Sequence, residues 1–501
     1  MSSNANLFHQ FFSPWESDSS RPLLTTLDGH VLSYGDLMEQ SGRIANGMRS
    51  LGLKSGDVVS VQVEKSPQSL ALYLACLRGG FVYHPLNPAY KLKELLYFLE
   101  SAEPRLTVCT DNTPLAELVS GMDVHCWTLD GVGQGSMIDD SESQSEIFST
   151  VASDANDIAA LLYSSGTTGR PKGIPLTHGN LLANAKTLTE LWGFKESDCL
   201  LHVLPIFHVH GLFVALGCVF LSGARMVWLP RFDAAEVSKA FSQCNVMMGV
   251  PTYYSRLLAE EELDYLQCEK MRLFISGSAP LSHDTFNEFS NRTGHRILER
   301  YGMTETGMNT SNPLIGQRKP GTVGRPLPGV DVRVVASNGQ LASASKVGEI
   351  QVRGDNVFSG YWKTEDGRTD FTEDGFFKTG DLGTVDESGY FSIVGRSKDL
   401  IISGGLNIYP KEVEVVLEAH EQVEESAVVG VPDKDFGERV IAVVVPKGDT
   451  EGLETKLKSV CKQELANFKV PKRFVFVDEL PRNAMGKVQK NILRDRLHQA
   501  S

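Results

Sequence analysis

The 501-residue chain is poor in several features, and each shortage closes off a class of protein. No uninterrupted apolar run reaches the roughly eighteen residues of a membrane-spanning helix, so none is expected. Its 8 cysteines form no CxxC pair and no tight cluster. That argues against a disulfide framework or a zinc site, and for a reducing compartment. Positive charge is outnumbered, 48 Lys+Arg against 62 Asp+Glu, for a formal net charge of −14. Such a surface suits neither nucleic acid nor an anionic membrane. The opening "MSSNANLFHQFFSPWESDSS" has no basic segment ahead of an apolar core, and the closing "HQAS" is not a peroxisomal tripeptide. A cytoplasmic location is the expectation. Low-complexity blocks and internal repeats are missing too, so a folded chain with more than one core is expected at this length.

Short apolar strands alternate with amphipathic helices from about Val58 to Pro230: "VVSVQV", "RLTVC", "IAALLY" and "RMVWLP", with "KSPQSLALYLACLRGG" as a helix. "VMMGV" and "LFIS" continue the series. The alternation predicts an α/β fold with largely parallel sheets. Beyond Pro320 glycine-punctuated strands ("VGEIQVRG", "GYFSIVG") predict a small β subdomain. "GRSKDLIISGG", residues 395–405, reads as a joint. A compact α+β unit of about a hundred residues follows, in which Pro410 suits the first turn of a helix.

"LLYSSGTTGRPKG", Leu161 to Gly173, sets a glycine-rich turn directly after a buried strand. Its glycines allow a tight turn with N–H groups facing an anion, its hydroxyls add donors, and Lys172 adds a charge. A Walker A loop requires G-x-x-x-x-G-K-[ST], and the spacing here differs, so this is no P-loop NTPase. A plain surface turn is the bland alternative; phosphate binding is the stronger reading.

"YSSGTTGRPKG" resembles the signature of the adenylate-forming superfamily, which holds acyl-CoA synthetases, peptide-synthetase adenylation domains and luciferases. "ERYGMTE" (Glu299 to Glu305), "TGD" (Thr379 to Asp381), "GRSKDLIISGG" and "PRNAMGKVQK" (Pro481 to Lys490) follow in order and at fitting separations. The resemblance covers nearly the whole chain. It implies an N-terminal adenylation domain over residues 1–394, a hinge at 395–398 and a mobile C-terminal domain over 399–501. It also implies ATP, Mg²⁺ and CoA, with a carboxylate attacking the α-phosphate and a thiol then displacing AMP.

By the same resemblance, Ser164, Ser165, Gly166, Thr167, Thr168, Gly169 and Lys172 hold the β- and γ-phosphates. Thr304 contacts the α-phosphate, and Glu305 with Thr167 helps to hold Mg²⁺. Tyr301 flanks the adenine opposite Gly277 and Ser278, with Glu299, Gly302 and Met303 counted in the nucleotide site. Asp381 accepts the ribose hydroxyls, aided by Arg396. Lys487 is the catalytic lysine, bridging carboxylate and α-phosphate. Lys398 marks the pivot, and Gly404 and Gly405 line the thiol channel. An exposed Lys487 would also be the target of any protein lysine acetyltransferase acting on the chain.

Specificity is expected between "LPIFHVHGLF" and "YGMTE". Arg256 in "GVPTYYSRLL" would hold a second substrate carboxylate, because arginine binds carboxylates bidentately and stays charged. Its alternatives are a packed stem with a solvated head, or pairing with Glu260 and Glu261. His208 is expected to line the acyl pocket with Ser278 and Met303, and His210 to be structural. Taken together these segments resemble malonyl-CoA synthetases. The resemblance implies malonate as the acid and methylmalonate as a further one. A ligase for another short acid and an adenylation module loading a carrier protein stay open.

Overall fold

The computed structural model describes residues 4–164, 171–364, 368–403, 406–433, 436–483 and 486–499. The chain divides into two compact units: Met1–Val332 with Val352–Phe377, and Arg333–Gln351 with Lys378–Ser501. No helix among the described residues is long and apolar enough to cross a membrane.

The first unit is α/β, as the alternation predicts. Its six-stranded sheet runs in the order His125–Thr128, Leu106–Cys109, Val58–Gln62, Val82–Pro85, Ile158–Tyr163, Gly173–Thr177. Every neighbouring pair is parallel except the last. Val58–Gln62 is buried along its whole length, the mark of a parallel strand covered on both faces. Helix Pro67–Gly79 follows, started by a Ser66–Ser69 capping box and stopped by Gly80 at φ 71°. A nine-stranded sheet is parallel through its centre, where Cys199–His202, Arg225–Trp228, Val246–Gly249, Leu273–Ser276 and Leu298–Met303 lie. Strand ends of this sheet deliver Gly277, Ser278, Thr304 and Glu305.

The second unit holds most of a four-stranded sheet made by Val330–Val335, Gly348–Gly354, Phe377–Val385 and Phe391–Arg396. Strand Phe377–Val385 neighbours Gly348–Gly354 in this sheet, and Arg333–Gln351 joins this unit. A five-stranded sheet is centred on the hairpin Val423–Asp433 and Gly437–Pro446. Alternation decides its layers: Val440, Ala442 and Val444 pack with Val413 and Leu457, whereas Ile441, Val443 and Val445 pack with Leu493 and Leu497. Helices Pro410–Glu418 and Leu453–Glu464 supply the first set, and Lys490–Gln499 supplies the second. Pro410 opens its helix as its position predicts.

Candidate active site

Three elements of the first unit build one end of the site. Strand Ile158–Tyr163 pairs antiparallel with Gly173–Thr177, and the Ser164 N–H donates to the Lys172 carbonyl at 3.1 Å. Ser165, Gly166, Thr167, Thr168 and Gly169 lie outside the described residues. Lys172 stands 3.4 Å from the Asp370 carboxylate and 4.3 Å from the Tyr361 ring centroid. Tyr97 donates to the Pro171 carbonyl at 2.5 Å and Trp362 N–H to the Gly173 carbonyl at 2.8 Å, anchoring the far end of the loop.

The second element is the hairpin Leu298–Met303 and Gly307–Ser311, whose tip carries Thr304 and Glu305. Asn184 clamps it from the neighbouring helix, donating to the Met308 carbonyl at 2.9 Å and accepting from its N–H at 3.0 Å. Tyr301, Gly302 and Met303 are half-buried along the last half of the strand, and Glu305 is buried. Thr304 lines a cavity with His208, His84, Asn87, Tyr90 and Phe207. The expected α-phosphate contact and the expected acyl-pocket histidine therefore meet in one cleft. A lone carboxylate at a turn fits Mg²⁺, which takes one or two carboxylates and fills its octahedron with phosphate oxygens and water. No group of three or more His, Cys, Asp and Glu able to hold a metal occurs among the described residues.

The third element is the turn after Leu273–Ser276. Ser278 has φ 72°, a left-handed backbone that a non-glycine residue adopts at a cost, as is frequent at binding sites. Gly277 is required for space: a Cβ there would lie 2.4 Å from Cζ of Arg300. Glu299, 6% exposed, accepts from the Gly321 N–H at 3.1 Å, and burial pushes its carboxyl up to about 8.

Arg300 was not singled out from the sequence. It is 3% exposed, and its Nε and Nη2 have no hydrogen-bond partner among the described residues. Burial lowers its guanidinium to about 9, which still leaves it charged at neutral pH. Close by is His210, buried with neither ring nitrogen partnered among the described residues; burial first, and Arg300 next, push its imidazole far down, so it is neutral. The one available signal was an arginine inside a strand that the fold must bury. Arg256, by contrast, sits exposed on the last turn of helix Pro251–Leu258, beside Tyr253, and makes no ion pair with Glu260 or Glu261. The dry surroundings expected for it belong to Arg300.

In the second unit Asp381 and Arg396 are directly opposed on neighbouring strands, Nε to Oδ1 2.8 Å, with Asp381 buried and Arg396 about one-third exposed. Thr379 orders the turn, donating to the Ile350 carbonyl at 2.7 Å and accepting from the Asp381 N–H at 3.1 Å. Burial lowers the ammonium pKa of Lys398, which lies beside Asp399 and Arg396. Lys487 is exposed in a turn closed by two bonds with Asn483, backbone to backbone at 2.9 Å and Lys487 N–H to Asn483 Oδ1 at 3.0 Å. Gly404 and Gly405 lie outside the described residues.

A family model described as "AMP-binding enzyme" matches residues 15–362, and one described as "AMP-binding enzyme C-terminal domain" matches residues 412–487. The malonate–CoA ligase of Arabidopsis thaliana is 34% identical over 532 residues, covering 96% of this chain and 87% of that protein. The mitochondrial malonate–CoA ligase of Bos taurus is 42% identical over 378 residues, covering 68% of this chain and 64% of that one. ATP-bound MatB from Rhodopseudomonas palustris matches with a TM-score of 0.96 at 48% identity, covering 99% of this chain and 100% of that one. With the first model spanning most of the chain on an adenylate-forming fold, the chain belongs to the AMP-binding enzymes and is an acid–thiol ligase that forms AMP.

Proposed function

We propose that the acid is malonate. The enzyme then converts malonate, ATP and CoA to malonyl-CoA, AMP and pyrophosphate through a malonyl-adenylate, in the cytoplasm. Methylmalonate is a further substrate, because an added methyl is discriminated by only about 1–3 kcal/mol. The observation that carries this reading is Arg300, a buried guanidinium with two nitrogens unpartnered among the described residues. An unmatched buried charge is costly, so a fold that keeps one draws on an anion from outside. A monocarboxylate commits its single anion to the α-phosphate. A dicarboxylate has a second to set against Arg300 and His210. Two relatives named for malonate support the same reading.

In this reading the reacting carboxylate attacks the α-phosphate in line, and catalysis is largely positioning and charge neutralisation. Thr304 contacts the α-phosphate and Lys487 bridges it to the attacking oxygen. Glu305 holds Mg²⁺, which when bound neutralises triphosphate charge. Asp381, oriented by Arg396, accepts the ribose hydroxyls. Rotation of residues 399–501 about 395–398 separates the two half-reactions, a hinge motion of ordinary kind. Arg256 is the second candidate for the distal carboxylate, and acetylation of Lys487 would silence the first half-reaction.

The test is a panel of mono- and dicarboxylates, read by pyrophosphate release with and without CoA. Malonate should give the highest kcat/KM. Fastest turnover of acetate or a fatty acid would sink the reading. Product appearing only on a carrier protein's pantetheine would favour the carrier-loading module.

A further inference from the structure

Lys65 precedes the Ser66 cap of helix Pro67–Gly79 and is buried. Its Nζ lies 2.8 Å from His202 Nδ1, 2.7 Å from the His202 carbonyl oxygen and 2.7 Å from the Leu229 carbonyl oxygen. It also stands 4.2 Å from the Trp228 ring centroid, and the His202 ring lies 4.7 Å from the same centroid. His202 Nε2 is 3.0 Å from the Gly211 carbonyl oxygen. No carboxylate is among these partners.

The partners fix the proton count. Carbonyl oxygens only accept, so His202 Nε2 must carry a hydrogen and Nζ must give one to each of its two carbonyls. The Nζ–Nδ1 contact needs a fourth. A neutral amine and a neutral imidazole together supply three. Burial pushes both groups far below their ordinary values, yet an arrangement that satisfies all four contacts holds one proton more than the neutral pair, and a single positive charge, whichever nitrogen carries it. Carbonyl dipoles and the Trp228 face are what stabilise that charge.

The far end of the cluster reaches the segment that follows His208, the histidine lining the cavity with Thr304. Gly211 lies in the π-helical turn His210–Ala215, a distortion frequent at functional sites. The turn has little room to move: a Cβ on Gly211 would lie 2.1 Å from the Pro205 carbonyl oxygen. Its first bond runs from the Leu212 N–H to the His208 carbonyl at 2.8 Å. One bond from His202 thus holds the backbone directly after His210, which adjoins Arg300, and three residues after His208, which lines the cavity with Thr304.

We propose that Lys65 and His202 are positioning residues for the acid: they share one buried proton and use it to fix Gly211, and through it the placement of His208 and His210. The proposal rests on the reading that the acid binds at this end of the site.

The experiment compares full-length His202→Phe, His202→Gln and Lys65→Met, measuring the KM for the acid, the KM for ATP and the melting temperature of each. The acid is whichever one the wild-type enzyme turns over fastest, so failure of the malonate reading leaves this test standing. His202→Phe keeps the ring against Trp228 but breaks the relay, and should raise the acid KM about tenfold or more while the ATP KM stays within about twofold. His202→Gln, with an oxygen to accept from Lys65 and an amide to donate to Gly211, should recover most of that loss. Lys65→Met should follow the phenylalanine variant; if it does not fold, the two His202 variants decide alone. Equal loss in the phenylalanine and glutamine variants would overturn the proposal. So would an unchanged acid KM in folded His202→Phe, or parallel rises in both KM values with a fallen melting temperature.

Discussion

The two units treat functional charge in opposite ways. In the first, Arg300 is buried with two nitrogens unpartnered, and Glu299 is buried with its carboxyl held up to about 8. In the second, buried Asp381 is 2.8 Å from Arg396, and Lys487 is exposed on its turn. Burial without a partner lowers stability until a ligand supplies the missing charge, so stability and binding trade against each other there. Paired or solvated charges carry no such penalty. Substitutions in the first unit should move melting temperature and activity in opposite directions. Those in the second should move activity alone.

The sharpest case for the second unit is Lys487→Ala. Adenylate formation should fall on the order of 100- to 1,000-fold, the usual cost of losing one donor aimed at developing charge. Thioester formation from supplied malonyl-adenylate should largely survive, and the melting temperature should not change. Pyrophosphate release, the isolated second half-reaction and a thermal melt read all three. Equal loss in both halves would remove the assigned role, and a fallen melting temperature would break the contrast between units.

Arg300→Met is its counterpart in the first unit. Losing charge-assisted bonds to the distal carboxylate costs about 2–3 kcal/mol, or roughly 30- to 150-fold in malonate kcat/KM. The ligand-free protein should nevertheless melt higher, because an unmatched buried cation is replaced by an apolar chain of similar length. Arg300→Lys should recover only part, since a point charge does not reproduce the fork. If Arg256→Ala loses malonate activity while Arg300→Met keeps it, the carboxylate belongs to Arg256.

What was legible in the sequence follows from the same contrast. The parallel sheets, the helix caps and the order of the motifs were readable because period, capping residues and glycine turns are local. Asp381 and Lys487 stand out as candidates because they sit in short, distinctive motifs. Arg300 stands inside such a motif too, yet its burial was hidden. Strand Leu298–Met303 gives no local sign that residue 300 loses water on every side, which depends on Gly277, Tyr254 and His210 arriving from distant segments. Arg256, which follows a buried strand among aromatics and leucines, suggests a pocket from sequence, whereas it is exposed on the last turn of its helix. Residues 333–351 could not be assigned to the second unit before their pairing was known.

Asp381→Ala should cost less than either. ATP kcat/KM should fall roughly 10- to 30-fold, as expected for losing hydrogen bonds to a charged acceptor. The malonate KM and the melting temperature should change little, because Arg396 is exposed enough to be solvated once its partner is gone. Steady-state kinetics in each substrate with a melt check this. A large fall in melting temperature would mean that the pair braces the sheet, and would remove the distinction between the units.

The smallest effect, and the one that tests burial most directly, is on Glu299. Its folded carboxyl is raised from 4.5 to about 8, with burial the dominant cause. Between those values the folded state binds a proton that the unfolded chain has already released, so stability falls as pH rises. The contribution is complete below 4.5 and gone above about 8. Glu299→Gln stays neutral at every pH and keeps an oxygen for the Gly321 N–H, so its melting curve should lose that slope. The two proteins should melt alike near the acid end of the window and diverge toward its alkaline end, with the glutamine variant the more stable. At neutral pH, where Glu299 is mostly protonated, activity should differ by less than about fivefold. Thermal melts of ligand-free protein across that range give the answer. Parallel curves would mean that Glu299 is ionised throughout, and that burial in the first unit is not what sets its charge.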